Sequence, residues 1–494
     1  MLDNSLLLEL VALGVYLVAL LGIGITAARQ VRTSVDFTLA GRDVHWLALL
    51  ATTAATMVGG GMSIGFIALV YNIGIAGVIG TLGAYIGLII TGLWIAPKLR
   101  GLDLITVGDY FELKFGKLAR LVAVAITINS MFACVVAQMV AMATITNTLI
   151  GVDYKVALVI GAAVTVFYAT VGGLQAVIKT DILQFVILVG GFGIAAVMLV
   201  WQHGGMATMA QHVETGHFEL TSEWSMTRVV TFFFTVLLGE MLAAPFVTRC
   251  FISKDAQGAR WGIAGAGIFL LLFLPVTTLV LATAALADPS VNQAVLEAGG
   301  DAQVAFPTLM RTFHPIFSGV MIAAIVAAVM SSADSCLSSL ATVAMEDIYR
   351  QLKPDANDHQ LLRVARWTTF YAGVGAAVCA YYFRDIIQII EFIYDFWGAT
   401  IVLPFLVGIF FYSRQWIYAT VSAMLVALTA TICWRFVLDI PGDFSPALFG
   451  FLVAVVTLLI TFPLTRHLPL GRMFTPGKGV KSEQDIDPTH KTET

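Results

Sequence analysis

The sequence is poor in charged residues: only 12% of its 494 residues are Asp, Glu, Lys or Arg, whereas 59% are hydrophobic. A mean hydropathy of +0.89 lies far outside the range of soluble globular chains, so this chain is not built for water as its solvent. No basic domain is present, which argues against a nucleic-acid partner. Composition therefore predicts an integral membrane protein.

Cysteine is scarce and lacks the paired spacing of a zinc site or a disulfide framework. The five cysteines lie in or beside apolar segments and are interpreted as small buried hydrophobic residues: Cys134, Cys250, Cys336, Cys379 and Cys433. The sequence also shows no nucleophile with its base, no metal cluster and no phosphate loop. We therefore expect no enzyme activity and no cofactor, apart from a coupling ion.

Apolar runs of about 20 residues or more, each long enough to cross a hydrocarbon core of roughly 30 Å, recur along almost the whole chain. The first run follows acidic Asp3 and Glu9 instead of a basic segment, so it is interpreted as a retained helix and not as a signal peptide. We predict thirteen spans, at residues 5–27, 46–71, 74–97, 118–149, 154–172, 180–201, 226–248, 262–287, 316–345, 365–383, 386–412, 415–436 and 445–463. The transmembrane domain would then cover residues 1–464.

Lys and Arg are distributed unevenly between the loops. Most of the 27 basic residues follow odd-numbered spans, begin span 6 or lie in the C-terminal tail; they include Arg29, Arg42, Lys98, Lys114, Arg249, Arg350, Arg363 and Arg414. Positively charged loops face the cytoplasm, so we predict a multi-pass protein of the cell membrane with its N-terminus outside and its C-terminus inside. Residues 465–494 are polar and rich in Pro, Gly and Lys, which predicts a disordered cytoplasmic tail.

Two spans carry helix-breaking residues at bilayer depth. Span 2 contains MVGGGMS (residues 57–63), and each glycine costs a helix roughly 1 kcal/mol relative to alanine. Span 7 contains LGEMLAAPF, with Gly239, Glu240 and Pro245. A spaced pair such as Gly83 and Gly87 instead indicates close helix packing. Two breaks five spans apart indicate an inverted repeat, about residues 46–201 and 226–412, with a binding site between the breaks.

Span 9 contains the strongest local motif, AAVMSSADSCLSS (residues 327–339). Ala328, Ser331 and Ser332 stand at i, i+3 and i+4, so a carbonyl and two hydroxyls share one helix face. One serine alone would be interpreted as bonding back to its own helix. Five serines and an aspartate within nine residues instead indicate a site for a small hard cation. Asp334 is predicted to be functional, because an acid at bilayer depth is costly unless it is paired or hydrated.

Together with DFTLAGR (residues 36–42), TVGGLQAVIKTDILQ (170–184) and MEDIYR (345–350), this motif resembles the sodium:solute symporter family. Members of that family carry proline, pantothenate, sialic acid, galactose, glucose or choline. The resemblance covers about residues 5–465. It implies an all-α polytopic membrane protein of the leucine-transporter type, a five-plus-five inverted repeat with one helix before it and two after it.

The same resemblance implies two groups of cation ligands. The main sodium site would use the backbone carbonyls of Ala55, Val58 and Ala328 with the hydroxyls of Ser331 and Ser332. A second cation site, present in some members, would use Asp181, Ser331, Asp334 and Ser335. Asp334 departs from the family pattern, which has a hydroxyl at this position. Two carboxylates could hold a cation or one could stay protonated, so the sodium stoichiometry stays open. Asp181 could also be a solvated helix N-terminus near Lys179.

The solute is the least determined feature of the sequence. Amides of the glycine break suit a carboxylate, while the acids and aromatics of span 7 and of EFIYDFWG (residues 391–398) suit a charged nitrogen. The candidate contacts are Gly59, Gly60, Gly61, Glu240, Tyr394, Asp395 and Trp397. A zwitterion such as an amino acid, or an organic acid, is favoured, and a choline-like cation, pantothenate or a sugar are alternatives. The expected function is sodium-coupled import of a small organic solute by a functional monomer in the lipid bilayer; the alternatives are a passive channel and a membrane sensor module.

Overall fold

The computed structural model describes residues 4–29, 33–171, 173–438 and 443–475. Within these ranges all regular elements are helices, and the one β-bridge joins Val44 to Ser253. The prediction of an all-α polytopic membrane protein is therefore confirmed.

The long helices follow one another in the predicted order of spans. Their bounds, in the order of spans 1 to 13, are Asn4–Ala28, Trp46–Met57 with Gly61–Ile73, Ile75–Arg100, Lys117–Ile150, Tyr154–Val171, Leu174–Gln202, Met226–Glu240 with Ala244–Ile252, Ala256–Ala287, Pro315–Leu352, Asp358–Tyr382, Ile386–Phe410, Ile417–Phe436 and Pro446–Thr465. Shorter helices in the loops are Ser34–Leu39, Val107–Phe115, Met206–Ala210, Pro289–Glu297 and Ala305–Met310. Nine of the described helices, or eleven counting each bent pair as one span, are long and apolar enough to cross a membrane. The count of thirteen stays a prediction.

Both predicted interruptions are confirmed. Span 2 bends by 58° between Trp46–Met57 (span 2a) and Gly61–Ile73 (span 2b). Span 7 bends by 41° between Met226–Glu240 (span 7a) and Ala244–Ile252 (span 7b). Pro245 lies in the first turn of span 7b, where a missing backbone donor costs least, and Leu242 makes the turn with a φ of 65°. Each bend frees backbone groups at the middle of the molecule.

The glycine pair of span 3 confirms the packing interpretation. A Cβ at Gly83 would lie 2.9 Å from the backbone nitrogen of Leu237, and one at Gly87 would lie 2.7 Å from the Leu237 carbonyl. Span 3 can therefore approach the backbone of span 7a only because both residues lack a side chain.

Loops that follow odd-numbered spans contact one another. The Ser34 hydroxyl, after span 1, donates to the Asp358 carboxylate, after span 9, at 2.8 Å. Arg100, at the end of span 3, donates to the Ser253 carbonyl, after span 7, at 2.5 Å. These loops therefore share one face of the molecule, as the predicted alternation requires.

Segments near the ends of even-numbered spans meet on the other face. The Tyr71 hydroxyl, at the end of span 2b, donates to Asn292, after span 8, at 2.6 Å. The Arg311 guanidinium, in the segment before span 9, donates to the Thr148 carbonyl at the end of span 4, at 2.8 Å. These contacts join segments that the predicted alternation places on the same side of the membrane.

Two of the basic residues assigned above to cytoplasmic loops do not lie in exposed loops. Lys114 is buried in the short helix Val107–Phe115, where its ammonium nitrogen lies 4.3 Å from the centre of the Tyr412 ring. Arg249 lies inside span 7b with 1% of its surface exposed, so its assignment to a cytoplasmic loop is wrong. Span 7 continues to Ile252, and Arg249 is part of the transmembrane core.

The beginning of the predicted disordered tail packs on the transmembrane domain. The Tyr418 hydroxyl donates to the Pro469 carbonyl at 2.8 Å and accepts from the Gly471 amide at 2.9 Å. The Phe474 ring lies 4.3 Å from the Tyr418 ring. The rest of that tail, residues 476–494, lies outside the described residues.

Candidate sodium and solute site

A cavity of about 80 Å³ lies between the two helix breaks. Spans 2, 4, 7, 9 and 11 contribute its walls, which are mostly apolar. Five of the predicted solute contacts line it: Gly59, Gly61, Glu240, Tyr394 and Trp397. The predicted position of the binding site therefore coincides with a cavity.

Polar groups are few in this cavity, and three of them are placed to meet a solute. Glu240, at the end of span 7a, accepts a hydrogen bond of 2.5 Å from the Tyr394 hydroxyl. The indole nitrogen of Trp397 and the hydroxyl of Ser130 are buried and have no partner among the described residues. Buried donors without partners are costly, so these two are available to a bound solute.

The middle glycine of the break contacts a residue that the sequence analysis did not single out. The Gly60 amide donates to Oε1 of Gln138, on span 4, at 2.8 Å. Gln138 also lines the cavity. A lone glutamine in an apolar helix was the available signal, because a buried amide needs partners.

Asp395 is not brought to the cavity. Its carboxylate pairs with Arg435 and accepts from the Ala447 amide at 3.1 Å, which ties span 11 to spans 12 and 13. It is not among the residues that line the cavity, although its helix neighbours Tyr394 and Trp397 are. Asp395 therefore joins neighbouring helices instead of contacting the cavity.

The predicted main sodium site lies where span 9 crosses the end of span 2a. Ser332 donates to the carbonyl of Thr56, in the last turn of span 2a, and Ser331 donates to Oδ1 of Asp181 at 2.5 Å. Ala55 lies in that last turn and Val58 caps it, where carbonyls lose their helical partners. The structure therefore brings the serine pair to the freed end of span 2a.

Arg249 is the main feature of the site that the sequence analysis missed. It pairs with Asp181 at 3.3 Å, and both side chains are buried. The same nitrogen donates to three hydroxyls at 2.5–2.9 Å, those of Thr52, Thr56 and Ser335. The signal was present as an arginine in the apolar run AAPFVTRCFI. An arginine at that depth needs an acid, and Asp181 is its partner.

Asp334 does not join the other three residues of the predicted second cation site. Its carboxylate is buried, and neither oxygen has a hydrogen-bond partner among the described residues. It lines a separate cavity of about 10 Å³ with Tyr168, whose hydroxyl is likewise buried without a partner. Asp181, Ser331 and Ser335 come together around Arg249, whereas Asp334 faces this smaller cavity.

A buried ion cluster fixes the MEDIYR motif at the end of span 9. Asp347 pairs with Arg120 of span 4 at 2.8 Å, and Arg120 also pairs with Glu112 and lies 3.5 Å from Asp109. Burial raises the pKa of Asp109, and Arg120 acts in the opposite direction. The cluster joins the helix Val107–Phe115 to spans 4 and 9 on the face predicted to be cytoplasmic.

Comparison with known proteins agrees with this architecture. The family model of the sodium:solute symporter family matches residues 37–426. The chain is 25% identical over 456 residues to a sodium/glucose cotransporter of Vibrio parahaemolyticus, covering 86% of this chain and 84% of the relative. It is 27% identical over 459 residues to high-affinity choline transporter 1 of Caenorhabditis elegans, covering 85% and 77%.

A solved structure shares the fold. The outward-open, substrate-bound structure of a Na⁺-coupled sialic acid symporter aligns with a TM-score of 0.80 and 21% identity, covering 94% of this chain and 99% of that one. The inverted-repeat architecture of the leucine-transporter type is thereby confirmed. The chain belongs to the sodium:solute symporter family, and its function is the sodium-coupled symport of a small solute by alternating access.

Proposed function

We propose that the solute carries a positively charged nitrogen, and that it is most simply a zwitterion of the amino-acid or betaine class. The observation that carries this proposal is the charge of the cavity. Glu240 is the one carboxylate among its lining residues, and no Lys, Arg or His of the described chain lines it. A cationic nitrogen would neutralise Glu240 in a place where an unpaired charge is costly.

The aromatic and amide groups support the same class of solute. Tyr394, Trp397 and Phe246 supply faces on which an ammonium or quaternary nitrogen can rest. The unpartnered donors of Trp397 and Ser130, together with the break at Gly59, suit a carboxylate at the other end of the molecule. A zwitterion would use both sets of groups.

The other solutes fit less of the cavity. An organic acid or pantothenate would bring a second negative charge beside Glu240. A sugar would leave the charge of Glu240 without a counter-ion. A choline-like cation is the second candidate, because it satisfies Glu240 and the aromatics, and one relative is a choline transporter.

We also propose that sodium binds to the carbonyls of Ala55, Val58 and Ala328 and the hydroxyls of Ser331 and Ser332. Hydroxyl hydrogens of the serine pair already point to Asp181 and to the Thr56 carbonyl, so oxygen lone pairs are free to face an ion. The membrane domain would work as a monomer without enzymatic activity, with its N-terminus outside and its C-terminus in the cytoplasm.

Uptake into proteoliposomes tests the solute class. Purified protein would be screened by thermal shift against amino acids, betaines, choline, organic acids and sugars, with and without sodium, because a ligand stabilises the state that binds it. Labelled hits would then be measured for uptake driven by a sodium gradient and for counterflow, which a channel does not support. We expect zwitterions to give sodium-dependent stabilisation and uptake.

A matched pair of variants tests the role of Glu240. Glu240→Gln should weaken binding of a zwitterion by about 10-fold or more, the order expected when a buried charged partner is lost. Glu391→Gln is the control, because Glu391 lies on span 11 but pairs with Arg228 and does not line the cavity. Equal effects of the two variants, or selective binding of a sugar, would contradict the proposal.

A further inference from the structure

The place predicted for a second cation is occupied by a side chain of the protein. One guanidinium nitrogen of Arg249 contacts the carboxylate of Asp181 and the hydroxyl of Ser335, at 3.3 and 2.9 Å. The second nitrogen donates to the Pro245 carbonyl at 3.1 Å, at the start of span 7b. Asp181 and Ser335 are two of the four ligands predicted for a second cation.

The charge at this place is already balanced. Asp181 and Arg249 form a one-to-one pair, with 0% and 1% of their side chains exposed. A sodium ion among the same oxygens would lie next to the guanidinium and add a positive charge that no described side chain here compensates. Asp334, the other acid of the predicted site, faces a different cavity.

We propose that Arg249 is the protein's own cation at the second site, so that the transporter binds one sodium ion in each cycle. This inference rests on the proposed sodium site formed with Ser331 and Ser332, and it sets the stoichiometry of that site. The guanidinium supplies the positive charge that a second ion would bring. It also donates hydrogen bonds to the oxygens that would otherwise coordinate that ion.

The Asp181–Arg249 pair also orients a ligand of the proposed sodium site next to it. The Ser331 hydroxyl donates its hydrogen to Asp181, so its lone pairs turn toward the proposed ion. Arg249 holds Asp181 in place from the opposite side. Because Arg249 lies on span 7b and its partners lie on spans 2a, 6 and 9, this contact links both broken helices to the helix that carries the serines.

Counting bound sodium on purified full-length protein tests the proposal. Equilibrium dialysis with radioactive sodium should give one ion per chain for the native protein, with a Hill coefficient of about one. Arg249→Ala should raise the count to two, because it leaves Asp181, Ser335 and the neighbouring hydroxyls without a cation. Arg249→Lys keeps the charge and should leave the count at one.

A double variant covers the case in which Arg249→Ala does not fold. Arg249→Ala combined with Asp181→Asn removes both charges, leaves no unpaired buried ion and should bind one sodium. Two ions bound by the native protein, or two by the double variant, would overturn the inference and leave the proposed symport intact. A native protein that binds no sodium would contradict the proposed sodium site itself.

Discussion

Removing either serine hydroxyl of span 9 should weaken sodium binding without unfolding the protein. Ser331→Ala and Ser332→Ala each remove one oxygen from a site with five proposed ligands. Each also leaves a buried acceptor with one donor fewer, either Asp181 or the Thr56 carbonyl. Loss of a partner from a buried polar group costs about 1–3 kcal/mol, which corresponds to a change of roughly 5- to 150-fold.

The two substitutions should weaken sodium binding to different extents. Asp181 keeps bonds from Thr52 and Arg249 when Ser331 is replaced, so its environment stays largely satisfied. The Thr56 carbonyl lies at the freed end of span 2a, and Ser332 is the one side-chain donor to it among the hydrogen bonds described. We therefore expect Ser332→Ala to raise the half-saturating sodium concentration more than Ser331→Ala does.

Sodium-dependent uptake in proteoliposomes, measured over a series of sodium concentrations at saturating solute, is the assay. Ser339→Ala is the matched control, because the Ser339 hydroxyl bonds back to the Ser335 carbonyl of its own helix at 2.9 Å. A sodium dependence that is unchanged in both test variants, or shifted equally by the control, would refute the assignment of the site.

Three other outcomes are expected. Uptake by the native protein should respond to an imposed pH gradient and Asp334→Asn should fold but lose that response, because the buried Asp334 carboxyl has no partner among the described residues and is placed to take up a proton; a native protein without the response, or a variant that keeps it, would count against this. Membrane-impermeant maleimide on intact cells should label Glu214→Cys and not Gln257→Cys, both at exposed loop positions, and the reverse pattern would invert the topology. Arg120→Ala should lower the free energy of unfolding by about 3–5 kcal/mol in denaturation measurements, and Arg120→Lys by less, because the alanine leaves buried acids unpaired.

Local chemistry made the fold predictable. Three successive glycines and Pro245 are costly in a continuous helix, so their presence in apolar runs indicates both breaks from the sequence alone. Gly83 and Gly87 were likewise interpretable, because residues without side chains let backbones approach. In each case the residues that indicate the structure lie close together in the sequence.

Contacts between distant segments were not predictable in the same way. Arg249 follows the apolar residues of span 7 directly, so its position in the sequence fits a cytoplasmic loop as well as the last turns of a buried helix. Its partner Asp181 is 68 positions away, so no local pattern joins the two. The direction of the Asp334 side chain depends on helix rotation, and one residue of shift turns a side chain by about 100°.

The proposed sodium site and the solute cavity share residues, so we expect sodium and solute to affect each other's binding. Ser332 bonds the Thr56 carbonyl at the end of span 2a, and both residues line the solute cavity. An ion that fixes this junction also fixes part of the cavity wall, including the break at Gly59. Because binding free energies are reciprocal, sodium must strengthen solute binding by the same factor as the solute strengthens sodium binding. The Ser332–Thr56 contact is therefore the point at which we expect the coupling free energy of this transporter to be concentrated.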